Sequence, residues 1–335
     1  MPNHLIQAGI LGVGSYLPER ILTNKELEKM VDTTDEWIKS RSGVKERRIA
    51  EPEMSTSDLA LRASRKALEN AGIGPEELDL IILTTCSKDM IIPAGACLVQ
   101  QELGATRAGA FDLEAGCTGF VYGLTIATQF IATGAMKHIL VIGSENLSKV
   151  VNWEDRNTCV LFGDGAGAVV VGQVHAGEGV LATKLSAEGS GWQHLYIPAG
   201  GSKMPADPLT LEKKLHYVHM NGKEVFRYAV RVMEEESLNL VKAANLELSD
   251  IDLLIPHQAN NRIIEHAAKR LGLSMDKVVV NLDRYGNTSS ASIPIALAEA
   301  VETGRIKAGD NIVMVAFGAG LTSGGVVLKW GERQG

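Results

Sequence analysis

The sequence has little of several features that define whole classes of protein. Only 5% of its 335 residues are aromatic, and acidic residues outnumber basic ones by 40 to 33. The net charge of -7 and the pI of 5.7 argue against nucleic acid as a main partner, because phosphate binding needs a basic excess or stripe. No stretch reaches the roughly 18 apolar residues of a membrane span. We therefore expect neither nucleic acid nor membrane as a partner.

Cysteine is also scarce, which argues against a disulfide framework and a metal centre. The four cysteines, Cys86, Cys97, Cys117 and Cys159, have no CxxC or other metal-ligand spacing, and a chain of this length does not depend on disulfides. The first residues lack the basic stretch of a secretory signal. We expect a cytoplasmic protein without a metal, in which three of the four thiols pack as small apolar groups.

What the chain does have is glycine, with 35 residues, and a hydrophobic content of 45%. This composition favours a layered α/β architecture with a core of Val, Ile, Leu and Ala. Apolar runs typical of buried strands alternate with segments of helical spacing. These runs are residues 80–83, 139–142, 168–171, 253–255 and 312–315. The pattern predicts an α/β fold whose strands are covered on both faces.

A long internal repeat indicates duplication. Residues 67–83 match residues 240–256 in pattern at an offset of 173, each stretch reading as a helix, a turn and a buried strand. A repeat of half the chain is too long for a solenoid unit. It predicts two similar halves, 1–175 and 176–335, although any two βα units resemble each other to some degree.

Cys117 stands where a predicted strand turns tightly into a predicted helix, in Glu-Ala-Gly-Cys-Thr-Gly-Phe at 114–120. At a helix N-terminus, unpaired N–H groups and the macrodipole favour a thiolate and can hold an oxyanion. Gly116 and Gly119 would let a substrate carbonyl approach the sulfur. On this feature alone, an inert buried thiol is the alternative.

Two residues of the second half can complete a nucleophilic site. His257 directly follows a predicted buried strand, and Asn287 lies in a Gly- and Ser-rich turn before an apolar helix. Ligands bind where parallel strands end, and imidazole and amide donors can polarise a thioester carbonyl beside a cysteine. The glycine loop at 317–321 could place a backbone N–H opposite that of Cys117 and complete an oxyanion hole. Taken singly, Gly-Asn is only a turn.

Together these motifs resemble the β-ketoacyl-acyl-carrier-protein synthase III family, the condensing enzymes that start type II fatty-acid synthesis within the thiolase-like superfamily. The resemblance covers essentially the whole chain. Its matching stretches are Gly-Val-Gly-Ser-Tyr-Leu-Pro at 12–18, Thr-Asp-Glu-Trp-Ile at 34–38, Gly-Cys-Thr-Gly-Phe at 116–120, Phe-Gly-Asp-Gly-Ala-Gly at 162–167, Pro-His-Gln-Ala-Asn at 256–260 and Gly-Asn-Thr-Ser at 286–289. The resemblance implies a thiolase-like five-layered α-β-α-β-α fold of two duplicated halves, and a homodimer.

The resemblance also implies a reaction. An acyl group would pass from coenzyme A to Cys117; malonyl on acyl carrier protein would then lose CO2, and the resulting carbanion would attack the acyl-cysteine. His257 and Asn287 would stabilise the enolate oxygen, and the backbone N–H groups of Cys117 and Ala319 would form the oxyanion hole. Coenzyme A thioester enters as a substrate, and no permanently bound cofactor is implied.

Binding residues carried over by position complete the implied site. Coenzyme A would contact Trp37 and Arg156 at the adenine, and Arg41 and Arg262 near the phosphates. Ile92 and Met220 would border the acyl pocket.

The acidic acyl carrier protein would dock on basic residues beside the active site. Lys223, Arg227 and Arg231 recur at helical spacing and line one helix face, and a second basic group lies near the His257 loop. The proposed docking residues are Arg227, Arg231, Arg262, Lys269 and Arg270. A solvated charged face is the alternative.

Three positions depart from the family's usual residues. Gly116 stands where the family commonly has Ala, and Ala319 replaces the middle glycine of a glycine-rich loop. Ala319 keeps its backbone N–H, so we expect activity unless that position needs a positive φ. Ile92 takes a place often held by Phe, which in the family closes the acyl pocket across the dimer; the smaller side chain predicts room for a longer or branched primer.

Other functions stay open on the sequence alone. A related enzyme with the same three residues would serve polyketide or signal-molecule synthesis. A cysteine hydrolase also uses Cys, His and Asn, although the duplicated α/β pattern opposes it. A binding protein without catalysis is a third alternative.

Overall fold

The computed structural model describes residues 5–331. Its strands are β1 (Ala8–Tyr16), β2 (Arg20–Thr23), β3 (Glu46–Ile49), β4 (Leu80–Thr84), β5 (Gly109–Leu113), β6 (Ile139–Glu145), β7 (Gly165–Gln173), β8 (Gly179–Ala187), β9 (Leu195–Tyr196), β10 (His219–Met220), β11 (Leu253–Pro256), β12 (Asn311–Gly318) and β13 (Thr322–Lys329). Its helices are α1 (Asn24–Leu27), α2 (Asp35–Ser42), α3 (Thr56–Ala71), α4 (Gly95–Leu103), α5 (Gly119–Ala132), α6 (Pro208–Glu212), α7 (Gly222–Ala243), α8 (Asn261–Arg270), α9 (Leu282–Tyr285) and α10 (Ser292–Glu302).

Two sheets form the centre of the molecule. The first has the order β1-β7-β6-β4-β5, and the second has the order β11-β12-β13-β8. Strands β6, β4 and β5 pair in parallel, as do β11 and β12, and the other pairs of these two sheets are antiparallel. All five apolar runs predicted as buried strands lie in these sheets, so that prediction is confirmed.

Helices cover and separate the sheets. Helices α3 and α4 pack on the outer face of the first sheet, and α7 and α8 cover the outer face of the second. Between the sheets lie α5 and α10, each contacting both. Helix α5 contains no charged residue, as expected of a helix that is buried on all sides. The predicted α-β-α-β-α order of layers is therefore confirmed.

The helix–turn–strand unit that the sequence repeats occurs twice in the structure. Helix α3 leads through the 3-10 turn Pro75–Glu77 to β4, and α7 leads through the 3-10 turn Leu248–Asp250 to β11. Each of these strands then pairs in parallel with a later strand of its own sheet. The strands of the first sheet come from residues 8–173 and those of the second from residues 179–329.

The parallel strands place candidate site residues at their carboxyl ends, as expected for ligand sites in α/β folds. Cys117 follows β5, and Glu145 is the last residue of β6. In the second sheet, His257 follows β11 and Ala319 follows β12. The duplicated topology therefore supplies site residues from both halves.

Gly12 and Gly14 allow α3 to pack closely on β1, because they lie in that strand where the helix crosses it. A Cβ on Gly14 would lie 2.4 Å from the carbonyl oxygen of Ala63, and one on Gly12 would lie 2.5 Å from that of Ala67. Helix and strand backbones can approach this closely only without these side chains.

We expect Gly14→Ala to lower the free energy of unfolding by about 1–3 kcal/mol, the usual cost of overpacking, because α3 must move away from β1. Chemical denaturation followed by circular dichroism measures the change. Gly201→Ala is the control, since a Cβ there meets no atom within 4 Å. Equal stability of the two variants would contradict this account of the packing.

Candidate active site

Cys117 lies in the 3-10 turn Gly116–Thr118, directly before α5. Gly116 has φ +54°, a conformation that favours glycine, and a Cβ on it would lie 2.7 Å from the backbone nitrogen of Ala319. The cysteine is only 8% exposed. Gly116 thus allows the nucleophile turn to lie against the loop that follows β12.

That loop brings a second backbone N–H to the sulfur. A Cβ on Gly318 would lie 2.5 Å from the backbone nitrogen of Cys117, so the two backbones are in direct contact. The N–H groups of Cys117 and Ala319 lie near the sulfur and lower its pKa. Ala319 does not adopt a positive φ, so an alanine is accommodated here without strain.

The thiol itself is held in its protonated form. Burial raises the pKa of Cys117 to about 12, although Ser289 and the two N–H groups act in the opposite direction. The negative charge of Glu145 raises this pKa further. The helix start therefore does not produce a resting thiolate, because desolvation of the charge outweighs it.

His257 is buried at the end of β11 and is neutral. Its backbone N–H donates to the carbonyl of Val315 at 2.8 Å, and its ring packs edge-to-face on Phe317 with centroids 5.3 Å apart. Burial lowers its pKa to about 3. Nδ1 lies 2.7 Å from the hydroxyl of Ser292. Within residues 5–331, Nε2 has no hydrogen-bond partner.

Asn287 is oriented by its own backbone and its neighbours. Its N–H donates to Leu161 at 2.8 Å, and its carbonyl accepts from Gly163 at 3.0 Å. The side-chain Oδ1 accepts from the N–H of Ser289 at 2.8 Å. The amide NH2 is therefore left for a ligand. The glycine motif at 162–167 holds this turn in place.

These three residues share one cavity of about 830 Å³ with most of the residues predicted to bind coenzyme A. The cavity is also lined by Trp37, Arg41, Arg262, Met220, Phe226 and Phe317. Two guanidinium groups lie over the Trp37 ring, that of Arg156 at 5.2 Å and that of Arg41 at 5.9 Å from its centroid. Arg262 lies over the ring of Phe226 at 5.2 Å. An aromatic face with guanidinium groups suits a nucleotide.

A second cavity, of about 520 Å³, also reaches Cys117. It is bordered by apolar and small side chains, including Leu147, Phe162, Leu195, Ile197, Val218 and Thr322. Met220, predicted to border the acyl pocket, lines the first cavity and not this one. Ile92, the other predicted acyl-pocket residue, lies at the surface and is 82% exposed.

The predicted docking residues lie at the surface of α7 and α8, where several pair with acidic side chains of the same chain. Arg227 pairs with Glu224 at 2.7 Å, Arg231 with Glu188 at 2.7 Å, and Arg270 with Glu234 at 2.5 Å. Lys269 lies beside Arg270 in the last turn of α8. The positive charge of this surface is therefore partly neutralised.

Sequence reasoning missed Glu145, a fully buried carboxylate behind the nucleophile. It accepts hydrogen bonds from the hydroxyls of Ser87 at 2.6 Å, Ser290 at 2.8 Å and Thr85 at 3.1 Å, and from the N–H of Cys86 at 3.2 Å. It joins the β4–α4 loop to the turn that carries Asn287. An acidic residue at the end of an apolar strand was the available signal.

Within residues 5–331, no three His, Cys, Asp or Glu side chains form a group that could hold a metal ion. No helix in the same part of the chain is long and apolar enough to cross a membrane.

A buried thiol approached by two backbone N–H groups, with an imidazole and an amide in the same cavity, can take up an acyl group while donors stabilise the charge that develops on the carbonyl oxygen. The family described as 3-oxoacyl-[acyl-carrier-protein (ACP)] synthase III matches residues 111–189, and its C-terminal part matches residues 241–330. The chain belongs to this β-ketoacyl-acyl-carrier-protein synthase III family, and it is an acyltransferase of the condensing type.

Individual relatives align with this chain over nearly its whole length. The β-ketoacyl-[acyl-carrier-protein] synthase III of Caldanaerobacter subterraneus subsp. tengcongensis is 60% identical over 98% of this chain and 99% of its own. The 3-oxoacyl-[acyl-carrier-protein] synthase III of Aquifex aeolicus is 49% identical in sequence. Its crystal structure matches with a TM-score of 0.89 over 96% of this chain and 100% of its own. The priming β-ketosynthase of the R1128 polyketide pathway is 36% identical, with a TM-score of 0.91 over 99% of each chain.

We expect Glu145→Gln to shift the pH profile of Cys117 alkylation to lower pH, because the variant removes a negative charge that raises the thiol pKa. The alkylation rate at pH 8 should rise about two- to tenfold, since one pKa unit corresponds to tenfold more thiolate. Iodoacetamide labelling followed by peptide mass spectrometry measures this rate.

Glu114→Gln is the control, because Glu114 borders the second cavity but its side chain is exposed and pairs with Lys88. A Glu145→Gln profile that stayed in place or moved to higher pH would contradict the electrostatic role of Glu145.

Proposed function

We propose that Cys117 accepts a short acyl group from coenzyme A and transfers it to malonyl-acyl carrier protein by decarboxylative Claisen condensation. The products would be β-ketoacyl-acyl carrier protein, CO2 and coenzyme A, and the reaction would start fatty-acid synthesis. Two backbone N–H groups lie near the Cys117 sulfur in the cavity that is also lined by His257 and Asn287, and this arrangement carries the proposal. Membership of the synthase III family supports this assignment.

In the first half-reaction, the Cys117 sulfur attacks the thioester carbonyl carbon of acyl-coenzyme A. The negative charge that develops on the carbonyl oxygen is stabilised by the N–H groups of Cys117 and Ala319. The carbon–sulfur bond to coenzyme A then breaks, and the proton lost by the Cys117 thiol leaves with the coenzyme A thiol. Because the resting group is a thiol, this proton must leave as the sulfur attacks.

In the second half-reaction, the malonyl thioester carbonyl binds to the N–H groups of His257 and Asn287. The bond between the α-carbon and the carboxylate breaks, CO2 leaves, and the electron pair delocalises onto the thioester oxygen. The α-carbon then attacks the acyl carbon and releases the Cys117 sulfur as a thiolate, which takes up one proton from solvent to restore the thiol. His257 acts as a neutral donor, since its pKa of about 3 keeps it uncharged at physiological pH.

Coenzyme A would be held by Trp37 and Arg156 at its adenine and by Arg41 and Arg262 at its phosphates. Acyl carrier protein would dock on the surface of Arg227, Arg231, Arg262, Lys269 and Arg270, and its acidic side chains would compete for the arginines that now pair within the chain. Polyketide priming is disfavoured, because the sequence identity to that ketosynthase is 36%, against 60% to the synthase III of Caldanaerobacter subterraneus subsp. tengcongensis.

We also propose a cytoplasmic homodimer. Strand β5 lies at one end of the first sheet, and Phe111 on it is part-exposed. In the loop before α4, whose first residue Gly95 donates its N–H to Asp112 of β5 at 2.9 Å, Ile91 and Ile92 are 79% and 82% exposed. An edge strand beside exposed apolar side chains favours pairing with a second copy. Ile92 would then border the partner's acyl pocket, and Met220 the chain's own.

Cys117→Ala should abolish the acyl adduct that intact-protein mass spectrometry detects after incubation with acetyl-, isobutyryl- or longer acyl-coenzyme A, because the acceptor sulfur is gone. Cys97→Ala, which removes an exposed thiol, should form the adduct at the rate of the unmodified enzyme. An adduct that persists in Cys117→Ala would place the acceptor elsewhere and refute the proposal.

His257→Ala and Asn287→Ala should each slow CO2 release from malonyl-acyl carrier protein by roughly 100- to 1000-fold, the usual cost of losing one oxyanion donor. Acyl-enzyme formation should change by less than about tenfold. In the unmodified enzyme, CO2 release should show no histidine ionisation between about pH 5 and 9, since the pKa of His257 is about 3.

His175→Ala, at an exposed histidine, is the control. Equal losses in both half-reactions would contradict this division of roles.

A further inference from the structure

We propose that Ser292 is a positioning residue that fixes the proton of His257 on Nε2. The consequence for catalysis rests on the proposed function, whereas the location of the proton does not. Ser292 is the first residue of α10 and is 2% exposed. Its hydroxyl oxygen lies 2.7 Å from Nδ1 of His257 and 3.4 Å from the backbone nitrogen of Gln258.

Counting donors and acceptors assigns the tautomer. The Gln258 N–H can only donate, so the Ser292 oxygen accepts from it. The single hydroxyl hydrogen of Ser292 is then satisfied if Nδ1 accepts it. If Nδ1 carried the proton instead, it would also donate to the serine oxygen, and the hydroxyl hydrogen would have no acceptor among the contacts of residues 5–331. Buried polar groups are paired wherever the structure permits.

The donor that determines this pattern is held rigidly. Gln258 is buried, and its side-chain NH2 donates to the carbonyls of Pro256 at 2.8 Å and Val279 at 3.0 Å. Its Oε1 accepts from the N–H of Asn281 at 2.9 Å. Because these bonds tie Gln258 to neighbouring segments, its backbone N–H keeps its direction toward Ser292.

With Nδ1 occupied as an acceptor, Nε2 presents a hydrogen to the cavity. Nε2 is buried and has no partner within residues 5–331. The Asn287 amide is also oriented with its donor side toward the cavity, since the Ser289 N–H occupies Oδ1 and leaves the NH2 group for a ligand. The cavity thus offers two donors to one ligand oxygen. This pair of donors is complementary to an enolate oxygen. Because Nε2 already carries a hydrogen, it cannot accept the proton of Cys117.

Neutron crystallography of the free, deuterium-exchanged enzyme near pH 7 tests the assignment directly. We expect deuterium on Nε2 of His257 and on the Ser292 oxygen, directed at Nδ1. Deuterium on Nδ1 would overturn the proposal. Because no substrate is needed, this outcome is distinct from a failure of the proposed function, which acylation of Cys117 reports.

Ser292→Ala supplies the kinetic test. Loss of the hydroxyl should lower CO2 release from malonyl-acyl carrier protein roughly 10- to 100-fold, the range known for hydrogen bonds that orient a metal-ligating histidine. Acyl-enzyme formation should stay within about twofold, and Ser292→Thr, which keeps the hydroxyl, should restore most of the loss.

The matched control is Ser237→Ala, which removes a buried hydroxyl bonded to the Met233 carbonyl in α7. Equal losses in both half-reactions of Ser292→Ala would indicate a merely structural role and refute the positioning role. Unchanged CO2 release would refute it as well.

Discussion

The direct contact of two backbone turns, Gly116–Cys117 and Gly318–Ala319, is the constraint on which the site depends. A Cβ on either glycine would lie within 2.7 Å of the opposite backbone, so no side chain fits between the turns. The contact brings the N–H groups of Cys117 and Ala319 to one sulfur. It requires the ends of β5 and β12, from different sheets, to meet beside the buried helix α5. The five-layered fold supplies that meeting point through its two similar halves.

Burial gives this site its chemical character. It raises the pKa of the Cys117 thiol and lowers that of the His257 imidazole, so both groups are neutral near pH 7. A cysteine hydrolase that relies on a thiolate–imidazolium pair needs the opposite shifts. A neutral thiol surrounded by N–H donors instead suits reactions in which negative charge develops on a substrate oxygen. The electrostatics therefore favour condensation over hydrolysis.

The sequence was sufficient for features that depend on local pattern and insufficient for those that depend on tertiary burial. Buried strands and the duplicated helix–turn–strand unit could be predicted because apolar runs and their spacing encode them. The motifs also pointed to Cys117, His257 and Asn287, which share a cavity. The raised pKa of Cys117 and the buried hydrogen bonds of Glu145 could not be predicted, because residues distant in the chain create them. The ion pairs of Arg231 and Arg270 likewise connect segments that the sequence does not place together.

The mechanism requires that the acyl group on Cys117 become part of a carbon–carbon bond. A single-turnover chase tests it most directly: acyl-enzyme freed of coenzyme A is mixed with malonyl-acyl carrier protein, while the protein mass, CO2 and carrier-bound product are followed. We predict that loss of the adduct, release of CO2 and formation of β-ketoacyl-acyl carrier protein occur in equal amounts. Loss of the adduct as free acid, without CO2 or carrier-bound product, would contradict the account.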